Sequence, residues 1–199
     1  APGVTELVTV GKVWDLAQVE RRTGGSPFDL VIMDAPATGH ALALLRAPRT
    51  YASVARVGPI ARQAGSIDAF LRDSSATGVL SVALPEEMPV NETVDLERRL
   101  AGDLELEVDH VVANGVLPAR FTAPDVRRLR SLDGQGTDAA QAAVTSALVE
   151  HRRAARQQEQ LERLRAEVRA PVTTLPYLFE PEPRRRELEL LADRLEEAL

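Results

Sequence analysis

The sequence predicts an α/β protein built on a doubly wound, mostly parallel sheet. Three observations predict it. Continuous apolar runs at residues 28–33, 78–84 and 108–113, with a shorter fourth at 171–175, read as strands covered on both faces. Segments of helical periodicity separate them, the alternation expected of parallel strands joined by crossover helices. The runs end in Asp34, Pro85-Glu86, Asn114-Gly115 and Pro176, and in open α/β sheets the carboxyl ends of the strands face the ligand.

In chain order, residues 4–22 read as a helix, because Val4, Leu7, Val8, Val13, Leu16 and Val19 recur near helical spacing and Gly24-Gly25 stops it. Residues 41–72 read as two helices, interrupted by Pro48 and by Gly58-Pro59. Their apolar residues Tyr51, Val54, Val57, Ile60, Ile67, Phe70 and Leu71 line either a core or an exposed docking groove. After the second strand, Asn91-Glu92-Thr93 enters a helix reaching about residue 100. A short helix over 121–132 and the turn Asp133-Gly134-Gln135-Gly136 lead to a long helix, capped by Thr137 or Asp138 and running to about residue 168. Ala143, Leu148, Leu161, Leu164 and Val168 form its apolar stripe. Arg152, Arg153, Arg156, Glu159, Glu162, Arg163 and Glu167 form a charged face, which reads as solvated or as a basic partner-binding patch. A leucine-rich helix over 183–199 ends the chain. With no repeat and no linker, residues 1–199 read as a single α/β domain with a short helical segment at about 41–75.

Composition narrows the function. The chain is 44% apolar and 27% charged, with net charge −6, which argues for a globular protein and against general nucleic-acid binding. No apolar run nears the roughly 18 residues of a membrane span, and no signal-peptide pattern opens the chain, so a cytoplasmic location is expected. Without cysteine there is neither a disulfide framework nor a thiolate zinc site.

The chemistry concentrates at Asp34-Ala35-Pro36-Ala37-Thr38-Gly39-His40. An acidic residue closes an apolar run, and a tight turn opens a helix. Asp34 can hold Mg²⁺ directly or through water, Gly39 lets backbone approach a phosphate, and the helix N-terminus offers N–H groups to an anion. Glu86, in an acidic pair after a strand, reads on its own as a solvated turn. Asn114-Gly115 reads on its own as a turn, because both residues tolerate positive φ. Pro176, Tyr177 and Leu178 read on their own as a hydrophobic turn covering the core.

The segment from Asp34 to His40 resembles the Asp-Thr-Ala-Pro-Thr-Gly-His switch of the ArsA-type anion-transporting ATPases, which include the tail-anchored-protein targeting ATPases. Leu42, Leu44, Leu45 and Pro48 continue the likeness, as do Pro85-Glu86 with Glu92-Thr93, and Asn114. The resemblance implies a P-loop NTPase fold whose first strand and P-loop are missing from these residues. It implies ATP and Mg²⁺ as cofactors and hydrolysis coupled to a conformational switch. Asp34 would then serve the Mg²⁺ shell, and Gly39 would sense the γ-phosphate. Asn114 would hold adenine, an amide being able to donate and accept on adjacent atoms; Pro176, Tyr177 and Leu178 would pack beside the base, and Glu86 would lie on a nucleotide-facing loop. A homodimer or a paired paralogue is implied, and a protein client on helical surface 41–72 is a further expectation. The family's Gln after the adenine-reading Asn is Gly115 here, and its cysteine pair is absent.

The 199 residues hold no Gly-Lys-[Ser/Thr] loop, and the one lysine, Lys12, has no glycine-rich run around it. The expectation is a piece of a longer ATPase; the alternative is a non-catalytic partner-binding module derived from the same fold. The intact mass of the protein as its source makes it separates them. A mass well above 21.6 kDa, with the added residues upstream of Ala1, is expected for the ATPase. A mass of 21.6 kDa would end autonomous hydrolysis.

Overall fold

A computed structural model describes residues 3–18, 28–55 and 57–199. The chain packs as two compact units, Ala1–Val79 with Asp95–Val108, and Leu80–Val94 with Asp109–Leu199.

The first unit is helical. Helices α1 (Val4–Ala17), α2 (Thr38–Ala55) and α3 (Pro59–Arg72) enclose Val10, Leu44 and Ile67, against which Leu7, Trp14, Met33, Leu45 and Leu71 pack. Full burial of such side chains stabilises by about 1.5–3 kcal/mol each. The predicted stretch of α1 beyond residue 18, with Val19 and the Gly24-Gly25 stop, lies outside the described residues. Pro48, expected to interrupt the helices, lies inside α2 instead. Its missing N–H frees a carbonyl one turn earlier, at a cost of about 3 kcal/mol. The offset is burial: Pro48 is fully buried, and Leu42, Leu44 and Ala47 are buried with it.

The strand expected at 28–33 is not formed. These residues are irregular, and Leu30 and Ile32 stand 74% and 82% exposed. An extended segment becomes a strand only when a neighbour accepts and donates its backbone hydrogen bonds. Among the described residues no strand ladder includes this segment, and Met33 is drawn onto the helical core instead. The apolar series over 51–71 also divides. Ile67 is core, while Val54, Val57 and Ile60 are exposed about the α2–α3 turn.

A π-helical turn (Leu100–Leu104) returns the chain to this unit, burying Leu100 and Leu104. It ends at Glu105, whose φ of +57° is the left-handed conformation, costly for a side chain with a β-carbon. Three arginines fasten the turn. Arg46 pairs with Asp103. Arg49 reaches Glu105 Oε1 at 2.6 Å and the Asp103 carbonyl at 3.0 Å. Arg72 bridges Glu105 at 3.2 Å and Asp68 at 2.6 Å.

The second unit carries the sheet. Strands β1 (Leu80–Ala83), β2 (His110–Val116) and β3 (Val172–Pro176) lie in the order β1-β2-β3, all parallel. Three of the four predicted strands are therefore present, and the parallel arrangement is as expected. β2 is central, and Val111, Val112 and Ala113 are fully buried. His110 Nε2 meets Thr173 Oγ1 of the neighbouring strand at 2.7 Å, which satisfies a polar group that is itself buried. On the edge strand β1, Ser81 and Ala83 are buried while Leu80 and Val82 are exposed.

Helix α4 (Glu87–Arg99) follows β1. Helices α5 (Ala123–Ser131) and α6 (Asp138–Glu167) join β2 to β3, and α7 (Arg185–Glu196) closes the chain. Thr122 and Asp125 cap α5 reciprocally; that bond to Thr122 lowers the Asp125 pKa. Thr137, one of the two predicted caps, caps α6. The buried stripe of α6 is Val144, Gln157, Leu161 and Leu164; Ala143, predicted in it, is exposed.

Glu105 gives the helical unit a pH signature. The hydrogen bond from Arg49, then the charges of Arg49 and Arg72, hold its pKa below the ordinary 4.5. A carboxylate with a lowered folded-state pKa stabilises fully above the unfolded value and loses that contribution as pH falls through the folded one. Glu105→Gln is therefore expected to narrow the gap between urea midpoints at pH 7 and at about pH 3. An unchanged gap would remove Glu105 from the acid response.

Candidate functional site

The candidate residues fall in both units. Asn114, Pro176, Tyr177, Leu178 and Glu86 belong to the sheet unit, and Asp34 and Gly39 to the helical one.

In the sheet unit the site is built where β2 and β3 end. Ala113 pairs with Thr174, but the next pair is Val116 with Pro176, so β2 carries one extra residue there. The bulge is Asn114-Gly115. Gly115 has φ +73°, a conformation only glycine adopts cheaply. The predicted positive φ is thus present, inside a strand rather than in a hairpin turn. A β-carbon on Gly115 would stand 3.8 Å from Leu84 Cδ2 and from Tyr177 Cδ2, so both side chains border the bulge. The ladder resumes with the Tyr177 N–H donating to the Val116 carbonyl at 2.9 Å.

Asn114, Pro176 and Leu178 are half-buried, while Tyr177 and Phe179 are exposed. The two rings meet edge-on at 5.0 Å. Arg120 lies over the Phe179 ring at 4.1 Å and reaches Glu150 at 3.5 Å. The sheet end therefore carries a half-buried amide residue at the bulge of β2 and an aromatic and apolar turn at the end of β3, with a guanidinium stacked on Phe179. An amide and a flat apolar surface are what a heteroaromatic base requires.

Gln157 of α6 holds this end in shape. It is 4% exposed; its Oε1 accepts from the Leu117 N–H at 2.8 Å, and its Nε2 donates to the Gly115 carbonyl at 3.3 Å. Sequence reasoning passed over Gln157, and also Arg120 and Phe179. A signal for Gln157 existed: it stands four residues before Leu161 and seven before Leu164, on the apolar stripe of a helix.

Glu86 is exposed and committed elsewhere. Its carboxylate pairs with Arg153 at 3.3 Å, and its carbonyl accepts from Val90 N–H at 3.0 Å at the start of α4. Such an exposed pair is worth at most about 1 kcal/mol.

In the helical unit, exposed Asp34 lies four residues before α2. Ala37, just before that helix, accepts from His40 N–H at 2.9 Å and from Ala41 N–H at 3.2 Å. It has no side-chain oxygen to cap the first-turn amides. Gly39 is in open space, with nothing within 4 Å of where a β-carbon would stand. Packing therefore gives no reason for glycine in this turn. Among the described residues no three His, Asp or Glu side chains gather into a metal cage. One exposed carboxylate shortly before a helix N-terminus fits magnesium, which keeps most of its ligands as water and phosphate oxygens.

Parallel strands whose carboxyl ends carry an amide and an apolar wall define the ligand-binding edge of an α/β protein. The chain is similar to ATPase BagA of Mycobacterium tuberculosis H37Rv, with 27% identity over 128 residues, 64% of this chain and 37% of BagA. A Mycobacterium bovis protein, likewise named as an ATPase, matches over the same lengths at the same identity. The match spans little more than a third, 37%, of the length of these curated relatives. No protein-family model matches the chain. Among the described residues no helix is long and apolar enough to cross a membrane.

The bulge yields a test of its own. Gly115→Ala is expected to cost about 1 kcal/mol, because the left-handed conformation, not crowding, is what alanine resists there. Urea unfolding measures it, and an unchanged midpoint would mean that the bulge relaxes without loss.

Proposed function

We propose that this chain is the adenine-binding and switch portion of an ATP-hydrolysing protein of the ArsA-like type, whose P-loop comes from outside these residues. Both units would then belong to one domain of P-loop NTPase type. The observation that carries the reading is the 128-residue similarity to proteins named ATPases. Two features of this chain support it: the amide and apolar residues at the ends of β2 and β3, and the carboxylate before the start of α2.

In this reading Asn114 pairs with the adenine edge through its amide. Tyr177, Leu178 and Pro176 cover the ring and keep water from it. Gly39 and its neighbouring first-turn amides approach the terminal phosphate, where no side chain blocks them. Asp34 accepts from water in the Mg²⁺ shell and so couples the α2 start to the nucleotide. Bound Mg²⁺ would neutralise charge developing on the phosphate oxygens. When the terminal phosphate leaves, the turn at residues 34–39 loses its partner and relaxes, the usual logic of a nucleotide switch. Glu86, paired with Arg153, would lie on a nucleotide-facing loop. The resemblance further implies a homodimer or a paired paralogue, an anion or membrane-protein cargo, and a cytoplasmic location.

A second reading has its own observation. Val54, Val57 and Ile60 are exposed together in sequence about the α2–α3 turn, as a non-catalytic partner-binding module would present them.

Asp34→Ala separates the two in the protein as its source makes it. An exposed residue in irregular backbone leaves stability within about 0.5 kcal/mol. ATP turnover is expected to fall at least about 100-fold, since a metal's contribution is several kcal/mol and each 1.4 kcal/mol is tenfold. Turnover that persists in Asp34→Ala, or that is missing from the unaltered protein, would sink the catalytic reading.

A further inference from the structure

The α6 glutamine is an odd choice for a buried stripe. Burying an amide costs free energy unless both of its ends are matched. A leucine at this position would continue the stripe of Val144, Leu161 and Leu164. Gln157 instead spends both ends on one strand terminus. Its oxygen takes the Leu117 N–H at 2.8 Å, and its nitrogen gives to the Gly115 carbonyl at 3.3 Å. These two backbone groups bracket Val116, whose own carbonyl accepts from Tyr177 N–H at 2.9 Å. Thus one side chain closes the only irregular point in the β2–β3 ladder. The backbone on one side of that point carries Asn114, and the bond on the other side carries Tyr177.

A bulge left to itself has slack. Its extra residue lacks a ladder partner, and glycine at φ +73° adds backbone freedom. Recognition of a base edge by an amide is directional, since donor and acceptor must both stay near hydrogen-bond geometry. We infer that Gln157 is a positioning residue for base recognition: by clamping Gly115 and Leu117 it fixes the orientation of Asn114 and the place of Tyr177. It thereby sets the preference for an adenine over a guanine nucleotide. The inference rests on the proposed nucleotide site, and within that site it assigns selectivity to a side chain that never touches the base. Arg120 and Glu150 do not share the role. Their contacts are to Phe179 and to each other, not to the bulge.

The test uses the protein as its source makes it, with ATP and GTP as probes. Gln157→Met keeps the length and apolar bulk of the side chain and removes both hydrogen bonds. The expected result is a KM for ATP raised about tenfold, the scale of one or two lost hydrogen bonds. The ATP-to-GTP ratio of kcat/KM should fall by a similar factor, and kcat at saturating ATP should change less than about twofold. Combined with Asn114→Ala, Gln157→Met should add almost nothing, because both changes disable one contact. A merely structural role would instead lower stability and activity together and add to Asn114→Ala in full. Either that additivity or an unchanged base preference would overturn the inference.

The outcomes also separate the inference from its premise. If Asn114→Ala leaves ATP affinity unchanged, the nucleotide site itself is misread. If Asn114→Ala weakens ATP while Gln157→Met does not, only the role of Gln157 fails. Should Gln157→Met fold poorly, the unaltered protein still decides. On ATP addition the side-chain amide of Gln157 and the backbone amide of Leu117 are expected to shift in NMR spectra together with the Asn114 amide. An Asn114 shift without the other two would refute the clamp.

Discussion

Strand β2 is hydrogen-bonded along both edges, and what the sheet unit can offer a ligand hangs from its last residues. Parallel pairing on both sides and apolar cover on both faces leave Val111, Val112 and Ala113 with no freedom. The Asn114-Gly115 bulge interrupts the ladder just before β3 ends. It skips one residue, turns Asn114 out of the fully buried part of the strand, and lets the ladder close again at Tyr177. The half-burial of Asn114 thus goes with the break in the ladder.

The two units meet their strain in different ways. In the sheet unit the left-handed residue is a glycine, so the conformation costs little, and a buried neutral side chain supplies the missing bonds. In the helical unit the left-handed residue is Glu105, and arginines on α2 and α3 hold it by charge. Neutral hydrogen bonds inside a core are insensitive to salt and pH, whereas exposed ion pairs are screened by salt and fail once the carboxylate is protonated. The stiffer fastening lies beneath the residues whose direction matters, and the softer one lies where the chain merely turns back.

Much of the fold was legible because parallel strands and amphipathic helices leave strong periodic signals. The runs at 78–84, 108–113 and 171–175 became β1, β2 and β3 within a few residues, and Thr137 capped α6. What failed did so for reasons of partnership. The run at 28–33 has strand composition, yet composition cannot supply a neighbouring backbone, and Met33 found apolar contact on the helices instead. Pro48 reads as a breaker in isolation, but the burial around it outweighs one lost hydrogen bond. At the site, the residue types were legible one by one, since Asp34, Gly39 and Asn114 carry their chemistry in their side chains or in the lack of one. The supporting residues were not, because Gln157 acts through backbone groups 40 or more positions away, and such a contact has no local pattern. Arg120 and Phe179 were missed for the same reason: their stacking is made by tertiary structure.

The candidate site also divides by the kind of physics it uses. Base recognition depends on angle, so it needs an amide whose backbone does not drift, and here that backbone is bonded to a buried side chain. Phosphate recognition depends on charge and approach, so a helix start and a residue without a side chain suffice. Asp34 and Gly39 are accordingly exposed and lightly held, while Asn114 stands on a fastened bulge. The proposed switch would need this asymmetry: the group reporting loss of the terminal phosphate would have to move, and the group retaining the base would not. A segment such as 34–39, with few buried contacts and an apolar run before it that has found no strand partner, has little to lose by rearranging. The bulge, clamped from α6 and bordered by Leu84 and Tyr177, would have to break buried hydrogen bonds to do the same.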